Sequence, residues 1–447
     1  MKKTATFENL PHYSNKKGTS SVVNIGRLVL FLVCVIGLTW LLTIFVLHSP
    51  NPFHKFMSKR SYPRIKNNEL NLEKYYNSID QITPVIHPQN ENVEGKCDLF
   101  KGRWVPDPNG PSYTNWSCPT IPEYRNCIKF GRKDTDYMNW RWKPDECELP
   151  RFNSKTFLKI VQGKKLALIG DSLARNQFDS LLCLLSQGDT PKEIKDVEEP
   201  FRTFYFPTYN FTLMVFWTKF LVASEERGNS TISPVFNIHL DKIDINWADK
   251  LPDLNYAIIS ASHWYIRENY LYGGGKLIGC IYCKDPGVHD YGLPFALQKA
   301  FATTLKYISE CKECRKDLLT LVRTFSPTHF EYGTWNTGGK CNRTSPITEE
   351  QVDIEGTKYE RELRDVQIKE FDIIKNTANG MMFESLDITK AMIMRPDGHP
   401  GNSWKDRWTD GKNRTDCVHW CLPGPIDVWN DFLMAVVQKK NGSTRLL

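Results

Sequence analysis

The stretch from Leu166 to Leu185 constrains the fold of this chain more than any other segment. An apolar run ends in Gly170-Asp171-Ser172, and an amphipathic run with helical spacing follows, which predicts a buried parallel strand, a tight turn and a helix. A serine at such a turn lies at the carboxyl end of a strand, where open α/β sheets place their functional sites. Its own amide belongs to the helix N-terminus, which can stabilise an oxyanion. Ser172 is therefore the candidate nucleophile.

A candidate base lies near the other end of the chain, in the motif Asp416-x-x-His419. A serine hydroxyl is a weak nucleophile unless a base takes its proton. An Asp and a His three residues apart can place the carboxylate against one ring nitrogen while the other nitrogen faces the serine. We therefore predict a triad of Ser172, His419 and Asp416. His329 and His399, both in Gly- and Pro-rich loops, are competing bases, but neither has an Asp three residues before it.

Strand-like and helix-like patterns alternate after residue 151, which predicts an α/β fold with a parallel sheet flanked by helices. His419 lies in a loop that leads into the last predicted helix, a suitable place for a catalytic base. The predicted strands are Lys165–Ile169, Leu213–Trp217, Tyr256–Ser260, Leu319–Phe325 and Met381–Phe383, and the predicted helices are Leu173–Ser186, Phe295–Glu310, one within Glu349–Thr377, and Ile426–Lys439.

An uncharged apolar run of twenty residues, Leu28–Leu47, predicts a single transmembrane helix, because this length crosses a bilayer core of about 30 Å. The run is too long for a typical signal-peptide core and no small-residue cleavage site follows it, so we interpret it as an uncleaved signal anchor. Residues 1–27 would then be a cytoplasmic tail. Residues 48–94, rich in Pro, Asn, Lys and Ser, would be a luminal stem.

Cysteines and glycosylation sequons orient this anchor better than the flanking charges do. Twelve of the 13 cysteines follow the apolar run, as do six N-x-S/T sequons, and both features fit an oxidising lumen. We therefore expect a type II membrane protein. The sequons are at Asn115, Asn210, Asn229, Asn342, Asn413 and Asn441.

The charge distribution argues against a nucleic-acid partner. Five basic residues and one acidic residue precede Leu28, so that much of the net charge of +7 lies outside the body of the protein. The remaining balance indicates neither nucleic acid nor a strongly acidic polymer as partner, and it is compatible with a neutral glycan.

Several long strings of the sequence point to one family. The chain resembles the plant trichome-birefringence-like polysaccharide O-acetyltransferases, which are similar to the SGNH/GDSL esterases, from Cys97 almost to the C-terminus. The matching strings are CDLFKGRWV, YRNCIKFGRKDTDYMNWRWKPDECELPRF, IGDSLARNQFDSLLC, LVRTFSPTHFEYGTWNTGGKCNRTSP, RPDGHPG and DCVHWCLPGPIDVWN.

This resemblance implies an SGNH/GDSL-hydrolase-like fold, with a Cys/Trp-rich N-terminal module at residues 95–150 and a catalytic domain at residues 151–447. The module would be either a structural lid or a glycan-binding unit. The resemblance also implies the Golgi membrane as the location, with the catalytic domain in the lumen. The insert GCIYC and the pair CKEC resemble the subgroup that acts on xyloglucan or mannan side groups, and we choose xyloglucan.

The implied reaction is acetyl transfer to a cell-wall hemicellulose through an acetyl-Ser172 intermediate. No bound cofactor is expected. The acetyl donor would be acetyl-CoA or a membrane-delivered acetyl group, the latter requiring a membrane donor protein as partner. The alternatives are a mannan or xylan O-acetyltransferase, a polysaccharide acetyl esterase, and a non-catalytic protein that binds wall polymers.

The oxyanion hole departs from the broader esterase pattern. The Ser172 amide is one predicted donor, and Arg175 or Asn176, one helical turn later, could supply or brace others. The Gly-x-Asn-Asp block expected after the strand Tyr256–Ser260 is replaced by a segment that includes His263 and Trp264. These two residues either shape a sugar pocket or pack the strand end. Asp171 is expected to cap the turn that presents the serine.

The cysteines allow two interpretations. The motifs Cys280-x-x-Cys283 and Cys311-x-x-Cys314 have the form of a four-thiolate zinc site, but in an oxidising lumen we expect two disulfides and no metal. Cys34 lies inside the apolar run and should stay unpaired. Although sequence alone does not determine connectivity, the other pairs that we expect are Cys97–Cys147, Cys118–Cys183, Cys127–Cys421 and Cys341–Cys417.

Overall fold

The computed structural model describes residues 97–195, 201–228, 234–378, 380–403 and 415–442. The predicted tail, the apolar run Leu28–Leu47 and the stem lie outside these residues. Within the described part of the chain, no helix has the length and apolar character needed to span a bilayer.

The described residues form thirteen strands and seven α-helices. The strands are β1 (Gly102–Pro106), β2 (Trp140–Pro144), β3 (Lys165–Gly170), β4 (Lys192–Ile194), β5 (Arg202–Phe206), β6 (Phe211–Trp217), β7 (Val222–Arg227), β8 (Val235–Ile243), β9 (Tyr256–Ser260), β10 (Asn269–Gly273), β11 (Lys276–Ile281), β12 (Leu319–Arg323) and β13 (Met382–Leu386). The helices are α1 (Ser154–Ile160), α2 (Ser172–Ser186), α3 (Ile245–Ala248), α4 (Gly292–Ser309), α5 (Lys358–Thr377), α6 (Thr389–Ile393) and α7 (Val428–Lys440).

A seven-stranded sheet forms the centre, in the order β13-β12-β9-β3-β6-β5-β4. The first five strands in this order are parallel, and β5 and β4 extend the edge antiparallel. The expected α/β fold with a parallel sheet is therefore confirmed. All five predicted strands are present, as are all four predicted long helices, with ends displaced by a few residues.

The alternation of side chains along β3 gives the sheet two buried faces. Leu166 and Leu168 point into one core, which also contains residues of α2 and α7 and of the N-terminal module. Ala167 and Ile169 point into a second core, formed with α4 and α5. A strand buried on both faces reads as a continuous apolar run, which is why the sequence pattern identifies it.

A second, four-stranded sheet was not predicted. Its order is β11-β10-β8-β7, with β8 and β10 parallel and the other pairs antiparallel. The strand β7 is exposed over most of its length and carries charged side chains. Strands of this kind lack the apolar run on which the sequence prediction depends.

The module from Cys97 to Pro150 contains a two-stranded ribbon, β1–β2, and packs against the lobe formed by the described residues from 151 onward. The indole Nε1 of Trp104 donates to the Ala391 carbonyl at 2.7 Å. All six expected disulfides are present, and two of them join the module to the lobe: Cys118–Cys183 and Cys127–Cys421. The module is thus covalently linked to this lobe.

Candidate active site

The turn that presents Ser172 is held from three sides. Gly170 has φ of +156°, and a Cβ there would lie 1.5 Å from the Ser260 carbonyl oxygen, so only glycine fits between β3 and β9. The buried Asp171 caps α2 by accepting from the Leu173 amide at 3.0 Å. Its other oxygen accepts from the amides of residues 262 and 263, each at 3.0 Å. Asp171 therefore fixes the turn, as expected for a capping residue.

The structure brings the three predicted triad residues together. The Ser172 hydroxyl lies 2.8 Å from His419 Nε2. The other ring nitrogen, Nδ1, lies 2.9 and 3.1 Å from the two Asp416 carboxylate oxygens. Because a carboxylate only accepts, Nδ1 carries the proton and Nε2 is free to accept the serine proton. This arrangement can activate the serine as a nucleophile.

The Asp416 carboxylate is also bound by an arginine that the sequence prediction missed. Arg125 of the N-terminal module donates from Nη1 to Asp416 at 3.2 Å, and both side chains are nearly fully buried. Burial alone would raise the pKa of Asp416, but His419 and Arg125 together hold it well below its ordinary value. Arg125 lies within one of the strings that carry the family resemblance, and nothing in its spacing links it to residue 416.

The surroundings of the His419 imidazole favour its neutral form. Burial and the Arg125 charge lower the pKa of His419 below its ordinary value of 6.5, against the opposite effect of Asp416. The side chain is 21% exposed, so that one edge of the ring can be reached from solvent. A neutral ring is the form that can accept the serine proton.

The loop that carries His419 is cross-linked on both sides. The disulfides Cys341–Cys417 and Cys127–Cys421 flank the histidine. Asn176 of α2 braces the next residue: its side-chain oxygen accepts from the Trp420 amide at 2.8 Å, and its side-chain nitrogen donates to the Trp420 carbonyl at 3.2 Å. Asn176 is fully buried, so it positions the loop.

Arg175, the other candidate on α2, lies with its guanidinium over the ring of Trp217, 3.9 Å from the ring centre. Trp217 in turn contacts Trp264 edge to face, with ring centres 5.8 Å apart. The guanidinium of Arg267 lies 4.3 Å from the centre of the Trp264 ring. Arg175 and Trp264 thus belong to one half-buried cluster of aromatic rings and cations.

His263 packs the end of strand β9. Its ring stacks on Phe325 with centres 4.8 Å apart, and its Nε2 donates to the Ser326 carbonyl at 2.9 Å. Burial, as the largest cause, lowers the pKa of His263 to about 4, so the ring is neutral. These contacts match the packing interpretation of His263.

The two competing histidines form a pair behind the base loop. His329 Nδ1 and His399 Nε2 lie 2.7 Å apart, and His399 Nδ1 donates to the His419 carbonyl at 2.7 Å. Burial lowers the pKa of His329 to about 4 and that of His399 well below its ordinary value. Both rings therefore support the loop that carries His419, and no contact of either with Ser172 is found.

No cluster of three or more His, Cys, Asp or Glu able to hold a metal ion occurs in the described ranges. The motifs Cys280-x-x-Cys283 and Cys311-x-x-Cys314 each close a disulfide, so their thiolates do not form a zinc site. Four of the sequons are described: Asn210, Asn342 and Asn441 are exposed and Asn115 is half-buried, while Asn229 and Asn413 lie outside the described residues.

Comparison with known families matches both parts of the chain. Residues 149–436 match the GDSL/SGNH-like acyl-esterase family found in Pmr5 and Cas1p, and residues 95–148 match the PMR5 N-terminal domain. A solved structure of the small COPII coat GTPase SAR1 from Encephalitozoon cuniculi matches 65% of this chain and 87% of its own, but a TM-score of 0.27 at 9% identity is too low to indicate a shared fold.

Named relatives cover most of the chain. Xyloglucan O-acetyltransferase 4 of Populus trichocarpa is 49% identical over 93% of this chain and 94% of the relative. Xyloglucan O-acetyltransferase 2 of Arabidopsis thaliana is 49% identical over 80% of this chain and 86% of the relative. Protein trichome birefringence-like 20 of Arabidopsis thaliana is 42% identical over 77% of this chain and 73% of the relative.

Proposed function

Because this chain belongs to the GDSL/SGNH-like acyl-esterase family found in Pmr5 and Cas1p and is one of its polysaccharide O-acetyltransferases, we propose that it acetylates xyloglucan through an acetyl-Ser172 intermediate. The observation that carries the mechanism is the 2.8 Å contact between the Ser172 hydroxyl and His419 Nε2, with Asp416 on the opposite nitrogen. The names of the relatives support xyloglucan as the acceptor.

In the first half-reaction, His419 accepts the Ser172 proton while the serine oxygen attacks the acetyl carbonyl of the donor. The tetrahedral oxyanion lies near the N-terminus of α2, where the Ser172 amide is available as a donor. The oxyanion then collapses, the bond to the donor's leaving group breaks, and that group takes the proton from His419. The product of this step is acetyl-Ser172.

In the second half-reaction, a sugar hydroxyl gives its proton to His419 and attacks the acetyl-serine carbonyl. Collapse releases the acetylated sugar, and the serine oxygen recovers its proton from His419. Asp416, itself bound by Arg125, holds the ring in one orientation through both steps and keeps the proton on Nδ1 whenever the ring is neutral. We propose acetyl-CoA or a membrane-delivered acetyl group as the donor.

We place this reaction in the Golgi lumen, on a protein held by a single N-terminal membrane anchor. Six disulfides among the described residues support an oxidising compartment. Protease protection of sealed Golgi vesicles tests this placement, since a cytoplasmic catalytic domain would be digested without detergent.

The activity is tested by incubating the purified full chain with acetyl-CoA or p-nitrophenyl acetate and deacetylated oligosaccharides of xyloglucan, glucomannan and xylan. Mass spectrometry should show acetyl gain on xyloglucan and none with the Ser172→Ala variant. Gain on glucomannan or xylan instead would replace the proposed acceptor. Biological activity that survives in the Ser172→Ala variant would favour a non-catalytic binding protein.

A polysaccharide acetyl esterase is the second candidate, because the 21% exposure of the His419 side chain lets water reach the acyl-enzyme. Release of acetate from acetylated xyloglucan, without transfer to deacetylated chains, would establish this hydrolase. Transfer needs an acceptor site that holds the sugar hydroxyl in place of water.

A further inference from the structure

A short exposed loop, which follows His329 and precedes Cys341, is held in a fixed shape by its own hydrogen bonds. We call residues 331–340 the aromatic flap. Its two ends pair antiparallel, with the Glu331 amide donating to the Lys340 carbonyl at 2.7 Å and the reverse bond at 2.9 Å. Inside the loop, the Thr334 amide donates to the Thr337 hydroxyl at 2.7 Å and the Gly339 amide to the Thr334 carbonyl at 2.9 Å. These bonds hold the loop in one conformation.

Two large aromatic side chains of the aromatic flap are exposed to solvent. Tyr332 is 97% exposed and Trp335 is 43% exposed. Tyr332 also has φ of +58°, in the left-handed region that disfavours a bulky residue. The backbone of Tyr332 is therefore strained, and its ring is not buried in the folded chain. Strain of this kind, with exposed aromatic surface, points to a ligand.

The aromatic flap is joined to the catalytic loop at both ends. Before the flap, the His329 amide donates to the Cys417 carbonyl at 3.2 Å. After it, Cys341 forms a disulfide with Cys417, with Cα atoms 5.7 Å apart. Since Cys417 lies between Asp416 and His419, both ends of the flap are anchored on the loop that carries the catalytic base.

The chemistry of the aromatic flap fits a neutral sugar chain. Residues 332–339, Tyr-Gly-Thr-Trp-Asn-Thr-Gly-Gly, contain no charged side chain. At the two ends of the flap, Glu331 is paired with Arg343, whose Nε lies 2.9 Å from the carboxylate, and Lys340 is exposed. Aromatic rings present flat apolar faces that can cover the C–H faces of sugars, and hydroxyl and amide groups can bond to sugar hydroxyls. A nucleic acid or acidic polymer would instead require a cluster of exposed cations, whereas Lys340 is the single lysine or arginine of the flap.

We infer that Tyr332 and Trp335 of the aromatic flap form an outer subsite that binds sugar units of the polysaccharide acceptor next to the unit that is acetylated. This inference rests on the proposed function, since it assigns the acceptor of the same site. A subsite outside the triad gains binding energy only from acceptors long enough to reach it. The flap therefore makes a long oligosaccharide a better acceptor than a short one.

The test uses the full chain and the variants Tyr332→Gly, Trp335→Ala and their combination. Glycine keeps the left-handed backbone of residue 332 while removing the ring. The matched control is Trp116→Ala, since Trp116 is 89% exposed but lies beside Cys118–Cys183, toward the end of α2 opposite to Ser172. Initial rates are measured with a long and a short xyloglucan oligosaccharide, and with p-nitrophenyl acetate alone as a probe of Ser172.

For the double variant we expect a KM about tenfold higher with the long acceptor, from loss of two stacking contacts. With the short acceptor and with p-nitrophenyl acetate, the change should stay below about twofold, and the melting temperature should not fall. A long-acceptor KM equal to that of Trp116→Ala would overturn the inference. Equal loss with all three substrates would also overturn it, because the flap would then act through the catalytic loop.

Direct binding separates this inference from the proposed function. Calorimetry with the long oligosaccharide is run on the Ser172→Ala protein, with and without the two flap substitutions. If the wild-type chain transfers no acetyl but binding is still lost in the flap variant, the proposed function fails and the subsite stands. If the oligosaccharide binds equally with and without the flap rings, or does not bind at all, the subsite is wrong.

Discussion

The two ends of the triad are built in different ways. Ser172 is held by regular structure: a buried parallel strand, a glycine that only fits there, and a capped helix. The loop from Asp416 to His419 has no strand or helix of its own and is held by two disulfides, a buried arginine and the Asn176 side chain. The nucleophile is therefore positioned by the strand, turn and helix of its own stretch together with the adjacent strand β9, whereas the base is positioned by cross-links and side chains from distant parts of the chain.

This difference shows where the enzyme should be vulnerable. The base loop depends on contacts with the N-terminal module and with residues 326–341, so that substitutions in these partners should impair it. The serine turn depends on the central sheet instead. Four experiments test this contrast, from the largest expected effect to the smallest.

Replacing the Asp416 carboxylate, which orients the base, should have the largest effect. Asp416→Asn removes the charge that orients His419 and leaves Arg125 buried without its ion-pair partner. We expect kcat to fall by about 10³- to 10⁴-fold, together with a loss of stability. Acetyl transfer and urea denaturation measure the two effects. Asp145→Asn, at a half-exposed ion pair on the module surface, should change neither by much. An active Asp416→Asn protein would remove Asp416 from the triad.

Removing the cation from the module should come next. In Arg125→Gln, the buried Asp416 carboxylate loses its ion pair, which should cost about 3 kcal/mol of unfolding free energy. Because Arg125 lowers the pKa of His419, the acid limb of the pH–rate profile should move to higher pH in this variant. A profile that stays in place while stability falls would show that Arg125 has only a structural role.

Opening the disulfide between the module and the base loop should cost more stability than opening a disulfide that closes a short loop. Cys127 and Cys421 are 294 residues apart, whereas Cys280 and Cys283 are three apart. The double Cys→Ser variant of the first pair should lose about 2–5 kcal/mol and that of the second pair less, since longer loops gain more from closure. Urea denaturation measures both. Equal losses of unfolding free energy in the two variants would contradict the view that cross-links to distant residues hold the base loop in place.

The smallest expected effect is a displacement of the acid limb in the pH–rate profile of the wild-type protein. His419 accepts a proton only when neutral, so the rate falls as pH drops through its pKa. Because burial and Arg125 lower this pKa, the midpoint of the acid limb should lie below pH 6.5. Steady-state rates of p-nitrophenyl acetate turnover locate the midpoint. A midpoint above 6.5 would mean that the Asp416 carboxylate outweighs both causes.

Sequence patterns identified much of the fold and the site, and the failures have a physical cause. The five strands of the parallel part of the main sheet carry apolar runs that periodicity detects, whereas β7 is largely exposed and has no such run. Asn176 was predicted only as a residue that could supply or brace oxyanion donors. Its partner, Trp420, is 244 residues away.

The sequence by itself determined the strand, turn and helix around Ser172, because these depend on the residues within one stretch. It also named Asp416 and His419, because the carboxylate and ring that must meet are three residues apart. Only the tertiary structure decided that Arg125, 291 residues before Asp416, lies against its carboxylate, and that Cys341, which follows the aromatic flap, is joined to the loop of the catalytic base. Such contacts follow from how the whole chain packs, and no local periodicity records which distant residues will meet.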